Sequence, residues 1–104
     1  MASRVQDLVE IRGEPRDEVH YRARAYDAAG RATVMLVVNI SPGGLMARCD
    51  AGHEPGAAIR VTLPMLGQVA ARVRWSLGGR IGCQFDKPID AREYRDLLAI
   101  LPVA

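Results

Sequence analysis

The chain has 104 residues, 49% of them hydrophobic and 25% charged, which is typical of one globular domain and excludes a disordered or fibrous protein. Its net charge of +2 is too weak for nonspecific binding to nucleic acid or to an acidic membrane. Thirteen of the fourteen basic residues are Arg, whose planar fork suits phosphate groups and guanine edges. Neither an apolar signal-peptide core nor a run of ~20 apolar residues is present, so we expect a cytoplasmic chain without membrane insertion.

Alternation of apolar and polar residues predicts six short strands in the middle of the chain. The predicted strands cover residues 20–26, 33–41, 45–49, 59–63, 69–75 and 81–85. Segments rich in Gly, Pro and Asp separate them, and residues 50–56 form a loop by composition. Six strands at nearly even spacing predict an all-β fold, a small antiparallel barrel or sandwich.

The same alternation assigns side chains to the two faces of each strand. Val38 and Ile40 are predicted to enter the core, which leaves Asn39 and Ser41 together on the outer surface. Trp75 is in phase with the apolar residues of its strand, so it is predicted to pack inside the barrel. The alternative for Trp75 is a place at the rim, where its edge could meet a ligand.

The last element is predicted to be an amphipathic helix. Asp90 and Glu93 have the spacing of a capping box, and Pro102 ends the element. Apolar residues then recur at helical spacing, and we expect this stripe to cover one open end of the barrel rather than to bind a partner. The stripe consists of Tyr94, Leu97, Leu98 and Leu101.

Residues 1–18 differ in composition from the rest of the chain. They carry a net charge of −2, and Gly13 and Pro15 disfavour a long helix. We therefore expect a flexible N-terminal arm at residues 1–18, followed by a single domain at residues 19–104. Cys49 and Cys83 are isolated from each other and from any metal-ligand pattern, so we expect two reduced thiols and no metal site.

Two polar motifs are not required by a barrel. The first, Arg12-Gly13-Glu14-Pro15-Arg16, places two guanidinium groups up to ~13 Å apart in extended chain, enough to grip a dinucleotide from two sides. The second, Asn39-Ile40-Ser41-Pro42-Gly43-Gly44, offers an amide, a hydroxyl and a bare backbone at a strand end. Each motif alone also fits a plain solvated loop or a strand-to-turn transition.

Together the motifs resemble those of the PilZ domain family. The RxxxR motif, 22 intervening residues and a [D/N]xSxxG motif are accompanied by four segments that look like the family's later strands. The resemblance covers about residues 12–100, and Ile11 stands where many members carry an additional Arg. The similar later segments are residues 43–46, 59–64, 71–75 and 82–85.

The resemblance implies a six-stranded antiparallel β-barrel with a C-terminal helix, and a receptor for cyclic di-GMP without catalysis or a cofactor. Arg12 and Arg16 would grip the phosphates and a guanine Hoogsteen edge, and Asn39 and Ser41 would bond a guanine or its phosphate. The remaining implied ligand-binding positions are Gly43, Gly44 and, at the rim, Trp75. Binding would fold the arm over the ligand and present a new surface to an unidentified downstream protein.

Three other function classes compete with this interpretation. A barrel that binds nucleic acid polymers would need surface aromatics, and most of the five aromatic residues are in phase with core positions. A PilZ-like adaptor would act by protein contact without nucleotide, and both intact motifs disfavour it. An enzyme is disfavoured because no nucleophile–base pair, metal cluster or phosphate-binding P-loop is visible.

Overall fold

The computed structural model describes residues 15–103, which form six strands and one helix. All six strands and the helix predicted from the sequence are present. β1 begins at Asp17, within the predicted arm of residues 1–18, and the first 14 residues, Arg12 among them, lie outside the described residues. The elements are β1 (Asp17–Asp27), β2 (Ala32–Ser41), β3 (Gly44–Arg48), β4 (Ala58–Leu63), β5 (Gly67–Leu77), β6 (Arg80–Phe85) and α1 (Ala91–Ile100).

The six strands close into an antiparallel barrel in the order β1-β2-β3-β6-β5-β4, which confirms the predicted fold class. Pairing of β1 with β4 through Ala25 and Val61 completes the ring. Because β6 and β5 lie between β3 and β4, the loop from β3 to β4 must cross one end of the barrel. Its ends are held by hydrogen bonds from Cys49 N to Gly79 O and from Gly56 N to Val73 O, at 2.8 and 2.6 Å.

Helix α1 covers the other end of the barrel, as its apolar stripe predicted. Asp90 is the N-cap residue and its carboxylate accepts a hydrogen bond from Arg92 N. Leu97 has no exposed surface, and Tyr94 and Leu101 are also buried. Leu97 joins a core formed by inward-facing strand residues, so the stripe is part of the core. The largest fully buried side chains of that core are Met35, Ile40, Leu63, Ile81, Leu97, Val37, Val61 and Val73.

Both cysteines are free and buried, which agrees with the expectation of reduced structural thiols. Burial raises the pKa of the Cys83 thiol to about 12, and the nearby Cys49 adds to the rise. A thiol with so high a pKa carries almost no thiolate at neutral pH, so Cys83 is a poor nucleophile in the folded protein.

Two β-bulges correct the predicted faces. The pairing of β2 with β3 shifts by one residue between Val37 and Asn39, so Val37 and Ile40 are fully buried and Val38 is only partly buried. The prediction that Val38 enters the core is therefore wrong. A second shift, between Val73 and Trp75 in the pairing of β5 with β6, reverses the phase of the strand after Val73.

The second bulge moves Trp75 to the outer wall, so the prediction that it packs inside the barrel is also wrong. Trp75 is paired with Gly82, whose neighbours in sequence, Ile81 and Cys83, are buried inward. A Cβ atom at Gly82 would overlap the indole nitrogen of Trp75, so the ring lies directly over this glycine. Strict alternation fails here because an extra residue changes the face of every side chain that follows it.

Gly44 fixes the approach of β3 to β6. It is paired with Gln84, and a Cβ atom at Gly44 would overlap the backbone carbonyl oxygen of Cys83. Backbone atoms in a paired strand cannot move aside without a large cost in free energy. The glycine of the second motif therefore has a structural role in barrel closure.

We predict that Gly44→Ala lowers the free energy of unfolding by about 1–3 kcal/mol, because the methyl group forces β3 away from β6. Urea denaturation of the full chain measures this change. Gly52→Ala is the matched control, because a Cβ atom there meets nothing within 4 Å, and it should change stability by less than about 0.5 kcal/mol. Equal stability of the two variants would contradict the structural role of Gly44.

Candidate functional site

Arg16 of the first motif meets Asn39 of the second on the outer wall of the barrel. Nη1 of Arg16 donates a hydrogen bond of 3.5 Å to Oδ1 of Asn39, a residue 23 positions further along the chain. The register of β1 with β2 produces this contact, because Asp17 is paired with Ile40 and Glu18 with Asn39. Arg16 therefore lies on the outer wall directly beside β2, the strand that carries Asn39 of the second motif.

Asn39 is held between two neighbouring strands. Its Oδ1 accepts from Arg16 on the β1 side, and its Nδ2 lies 3.8 Å from the sulfur of Met46, its cross-strand partner on β3. The amide of Asn39 is thus oriented along the outer surface. This orientation depends on the β-bulge at Val38, which leaves Ile40 inside the barrel and Asn39 outside.

A narrow cleft joins Arg16 to the indole of Trp75. Its lining includes Arg16, Met46, Arg74, Trp75 and Gly82. The guanidinium groups at the cleft donate hydrogen bonds to amide oxygens, Arg16 to Asn39 and Arg74 to Gln84. The cleft therefore combines an aromatic face with two cationic forks, a combination suited to a planar anionic ligand.

The cleft itself is too small to enclose such a ligand. It holds about 10 Å³ of free volume, against the ~300 Å³ or more of typical ligand pockets. A second cleft of about 370 Å³ lies over β5 and β6, and Arg74 lines both clefts. A planar anionic ligand would therefore lie over the outer wall, across the cleft and toward Arg74, rather than within a cavity.

Ser41 is not at the outer surface beside Asn39, and that prediction is wrong. Its exposed fraction is 4%, and its hydroxyl donates to Gly44 O at 3.5 Å across the hairpin. The turn that follows is held against residues 85–89, because Gly43 O accepts from Phe85 N and Pro42 O accepts from Ile89 N. Ser41 is thus buried where the turn between β2 and β3 packs against residues 85–89.

Sequence reasoning missed Met46, Arg74 and Gly82 as members of the site. Met46 and Arg74 carry no signal of their own, since both look like ordinary outward-facing strand residues. Gly82 does carry one, because a glycine between two inward-facing apolar residues in a strand indicates a close approach on the outer face. That approach is made by Trp75.

Helix α1 anchors the start of β1 next to the site. The hydroxyl of Tyr94 lies 2.6 Å from Oδ2 of Asp17 and 2.8 Å from the carbonyl oxygen of Ile40. Asp17 directly follows Arg16, and Ile40 directly follows Asn39. A single hydroxyl group on the helix therefore connects the two strands at the positions adjacent to both motifs.

The part of the chain that the structure describes contains no group of three or more His, Cys, Asp or Glu side chains arranged to hold a metal ion. Among the same residues, no helix is long and apolar enough to cross a membrane.

The chain is a small closed barrel with cationic side chains on its outer wall, and comparison with known proteins identifies its family. The model of the PilZ domain matches residues 10–101, so the chain belongs to the PilZ family, whose members are generally receptors for cyclic di-GMP. The chain is also similar to the PilZ domain of CeSA from a cellulose-synthesizing bacterium, with 15% sequence identity and a TM-score of 0.62. That match covers 83% of this chain and 97% of the other. Among curated proteins, no sequence matches this chain.

We predict that Tyr94→Phe lowers the free energy of unfolding by about 1–3 kcal/mol, because it leaves the Ile40 carbonyl and the Asp17 carboxylate without their shared partner. Thermal denaturation measures the loss as a decrease in Tm of about 4–8 °C per kcal/mol. Tyr26→Phe is the control, because the Tyr26 hydroxyl makes no hydrogen bond to any residue within 15–103. If both variants melt at the temperature of the unmodified protein, Tyr94 is not an anchor.

Proposed function

We propose that the chain is a receptor for cyclic di-GMP that binds the dinucleotide across the outer wall at Arg16, Asn39 and Trp75. The observation that carries this proposal is the contact between Arg16 and Asn39, which joins the two motifs on one surface beside the indole ring. Membership of the PilZ family supports the choice of ligand. A cytoplasmic location remains part of the proposal.

Cyclic di-GMP is a dianion with two guanine bases, and each feature has a matching group at the site. Arg16 would form a bidentate contact with a phosphate or with the O6 and N7 atoms of a guanine. Asn39 would donate to or accept from the same base or phosphate. Each charge-assisted hydrogen bond contributes ~1.5–3 kcal/mol, so two or three account for much of the ~8 kcal/mol of micromolar binding.

Trp75 would stack on one guanine. Stacking of a base on an aromatic side chain contributes ~1–3 kcal/mol, and the outer wall offers the indole face between Arg16 and Arg74. The second base would extend past Arg74 toward the cleft of about 370 Å³. This arrangement needs no enclosed pocket, which agrees with the small volume between Arg16 and Trp75.

The remaining predicted site residues divide into two groups. Because Ser41 is buried and Gly44 is packed on β6, we assign both to the shape of the hairpin, with Gly43 at its turn. Arg12 would supply the second guanidinium from the arm and close over the ligand. Closure of the arm would in turn change the surface that a downstream protein meets.

We predict that isothermal titration calorimetry of the full chain with cyclic di-GMP detects binding, and that Arg16→Ala weakens it at least tenfold. Arg16→Lys should also weaken binding, because an ammonium group keeps the charge but lacks the fork. Arg60→Ala is the matched control, since Arg60 is exposed on β4, away from the site, and should leave the affinity unchanged. The Tm of free Arg16→Ala should remain within about 2 °C of the unmodified protein, because Arg16 is only partly buried on the outer wall and is not part of the hydrophobic core.

Two outcomes would contradict the proposal. Absence of binding by the unmodified chain would favour the adaptor that acts without nucleotide. Equal affinities of Arg16→Ala and Arg60→Ala would place the ligand elsewhere on the protein.

Closure of the arm is tested separately, by amide hydrogen exchange with and without cyclic di-GMP. We expect slower exchange across residues 8–18 when the ligand is bound, because the arm forms new hydrogen bonds over the ligand. The loop of residues 50–56, at the other end of the barrel, is the internal reference. Unchanged exchange across residues 8–18 in a ligand-saturated sample would mean that the arm does not close.

A further inference from the structure

A second surface of the barrel carries an unusual row of charges. On the outer face, Arg22 of β1 is paired with Leu36 of β2, Leu36 with Arg48 of β3, and Arg48 with Arg80 of β6. The next row contains the pair of Arg24 with Val34. We call this surface the basic wall, and it consists of Arg22, Arg24, Val34, Leu36, Arg48 and Arg80.

The charges of the basic wall are not compensated within the described structure. All four arginines are exposed, and none of their guanidinium groups makes a hydrogen bond or an ion pair to another residue in the range 15–103. Arg48 and Arg80 are direct cross-strand partners, an arrangement in which like charges destabilise the sheet. The fold thus retains a local electrostatic repulsion, between Arg48 and Arg80, that formation of the barrel does not require.

Apolar side chains lie between these arginines. Val34 is 50% exposed, and Leu36 is partly buried between Arg22 and Arg48. Leu77 on β5, which is paired with Arg80 on β6, is 79% exposed and extends the apolar surface. The wall therefore presents alternating cationic and aliphatic groups rather than a uniformly charged surface.

We propose that the basic wall is a docking surface for an acidic, amphipathic segment of a partner protein. Neighbouring strands are ~4.8 Å apart, so Arg22, Arg48 and Arg80 stand at roughly 0, 10 and 14 Å along the row. On a helix, residues separated by seven and then by four positions advance ~10.5 and ~6 Å. Acidic side chains at that spacing would meet Arg22 and Arg48, and a leucine between them would meet Leu36. Because β6 is three strands from β1 in the closed ring of six, the wall curves away from a straight helix at Arg80, and the long side chains of Arg80 and the third acidic residue must span that gap.

Charge and composition favour a protein over other anionic macromolecules. A single-stranded nucleic acid needs aromatic side chains for base stacking, and none of the six residues of the wall is aromatic. An anionic membrane would pair with the arginines and take up aliphatic side chains that project beyond them, but Leu36 is partly buried between Arg22 and Arg48 rather than projecting. Arginine beside exposed aliphatic groups is instead the composition of a protein interface.

The wall borders the proposed nucleotide site without sharing residues with it. Arg48 lies two residues from Met46 on β3, and Arg80 lies two residues from Gly82 on β6. A partner on the wall would therefore contact the edge of a ligand bound at Trp75. Docking at the wall does not depend on nucleotide binding, so either proposal can fail without the other.

The test measures the fluorescence anisotropy of a labelled helical peptide as the full chain is added. The peptide carries three glutamates, separated by seven and then by four positions, and a leucine between the first two. Arg48→Glu should weaken binding at least tenfold, whereas Arg60→Glu, which makes the same change in net charge on β4, should weaken it less than twofold. A peptide with glutamine in place of each glutamate should bind at least tenfold more weakly than the acidic peptide. Arg48→Glu should also raise the Tm by about 1–5 °C, because it replaces the repulsive pair of Arg48 and Arg80 by an attractive one. The same Tm measurement shows that the variant is folded.

Two results would overturn the proposal. If Arg48→Glu and Arg60→Glu weaken peptide binding equally, the peptide responds only to net charge. If a uridine dodecamer or phosphatidylglycerol vesicles lose binding to Arg48→Glu while the acidic peptide is insensitive to it, the wall recognises nucleic acid or membrane instead.

Discussion

The arrangement of the site depends on where the barrel departs from regular pairing. Three register shifts occur, near Glu18 in β1, at Val38 in β2 and at Arg74 in β5. Each inserts one residue and changes the face on which the next side chains lie. The shifts bring an arginine, an amide and an indole onto one wall while the core keeps its apolar residues. Without the shift in β5, Trp75 would point into the barrel, and the wall would lose its aromatic face.

Close packing and hydrogen bonds hold the outer wall that carries Arg16, Asn39 and Trp75 in place. Gly44 and Gly82 have no side chain where a neighbouring carbonyl group or ring must pass, so β3, β6 and Trp75 approach closely. Tyr94 ties the helix to the strands that carry Arg16 and Asn39. A site on the outside of a barrel has no cavity to orient its groups, and these contacts supply the orientation instead. They also place the basic wall at a fixed distance from the proposed nucleotide site, on strands β3 and β6 that both surfaces share.

The sequence allowed the architecture to be predicted because alternation, turn residues and the helical stripe are local signals. The six strands, the capping helix with Leu97 at its centre and the buried thiols all follow from such signals. The faces of Val38 and Trp75 could not be predicted in this way, because a β-bulge depends on the register between two strands rather than on one strand's pattern. The burial of Ser41 arises from backbone contacts with residues 85–89, which are distant in sequence. Within the site, Arg16 and Asn39 were recognisable from motif spacing, whereas Met46 and Arg74 join only because the barrel closes.

The most direct test of the central claim uses Trp75, the only tryptophan of the chain. Cyclic di-GMP stacked on the indole should quench its fluorescence in a saturable titration. Arg16→Ala should shift the midpoint of that titration at least tenfold to higher ligand concentration. Unchanged tryptophan emission at concentrations that saturate the calorimetric signal would show that the dinucleotide binds away from this wall.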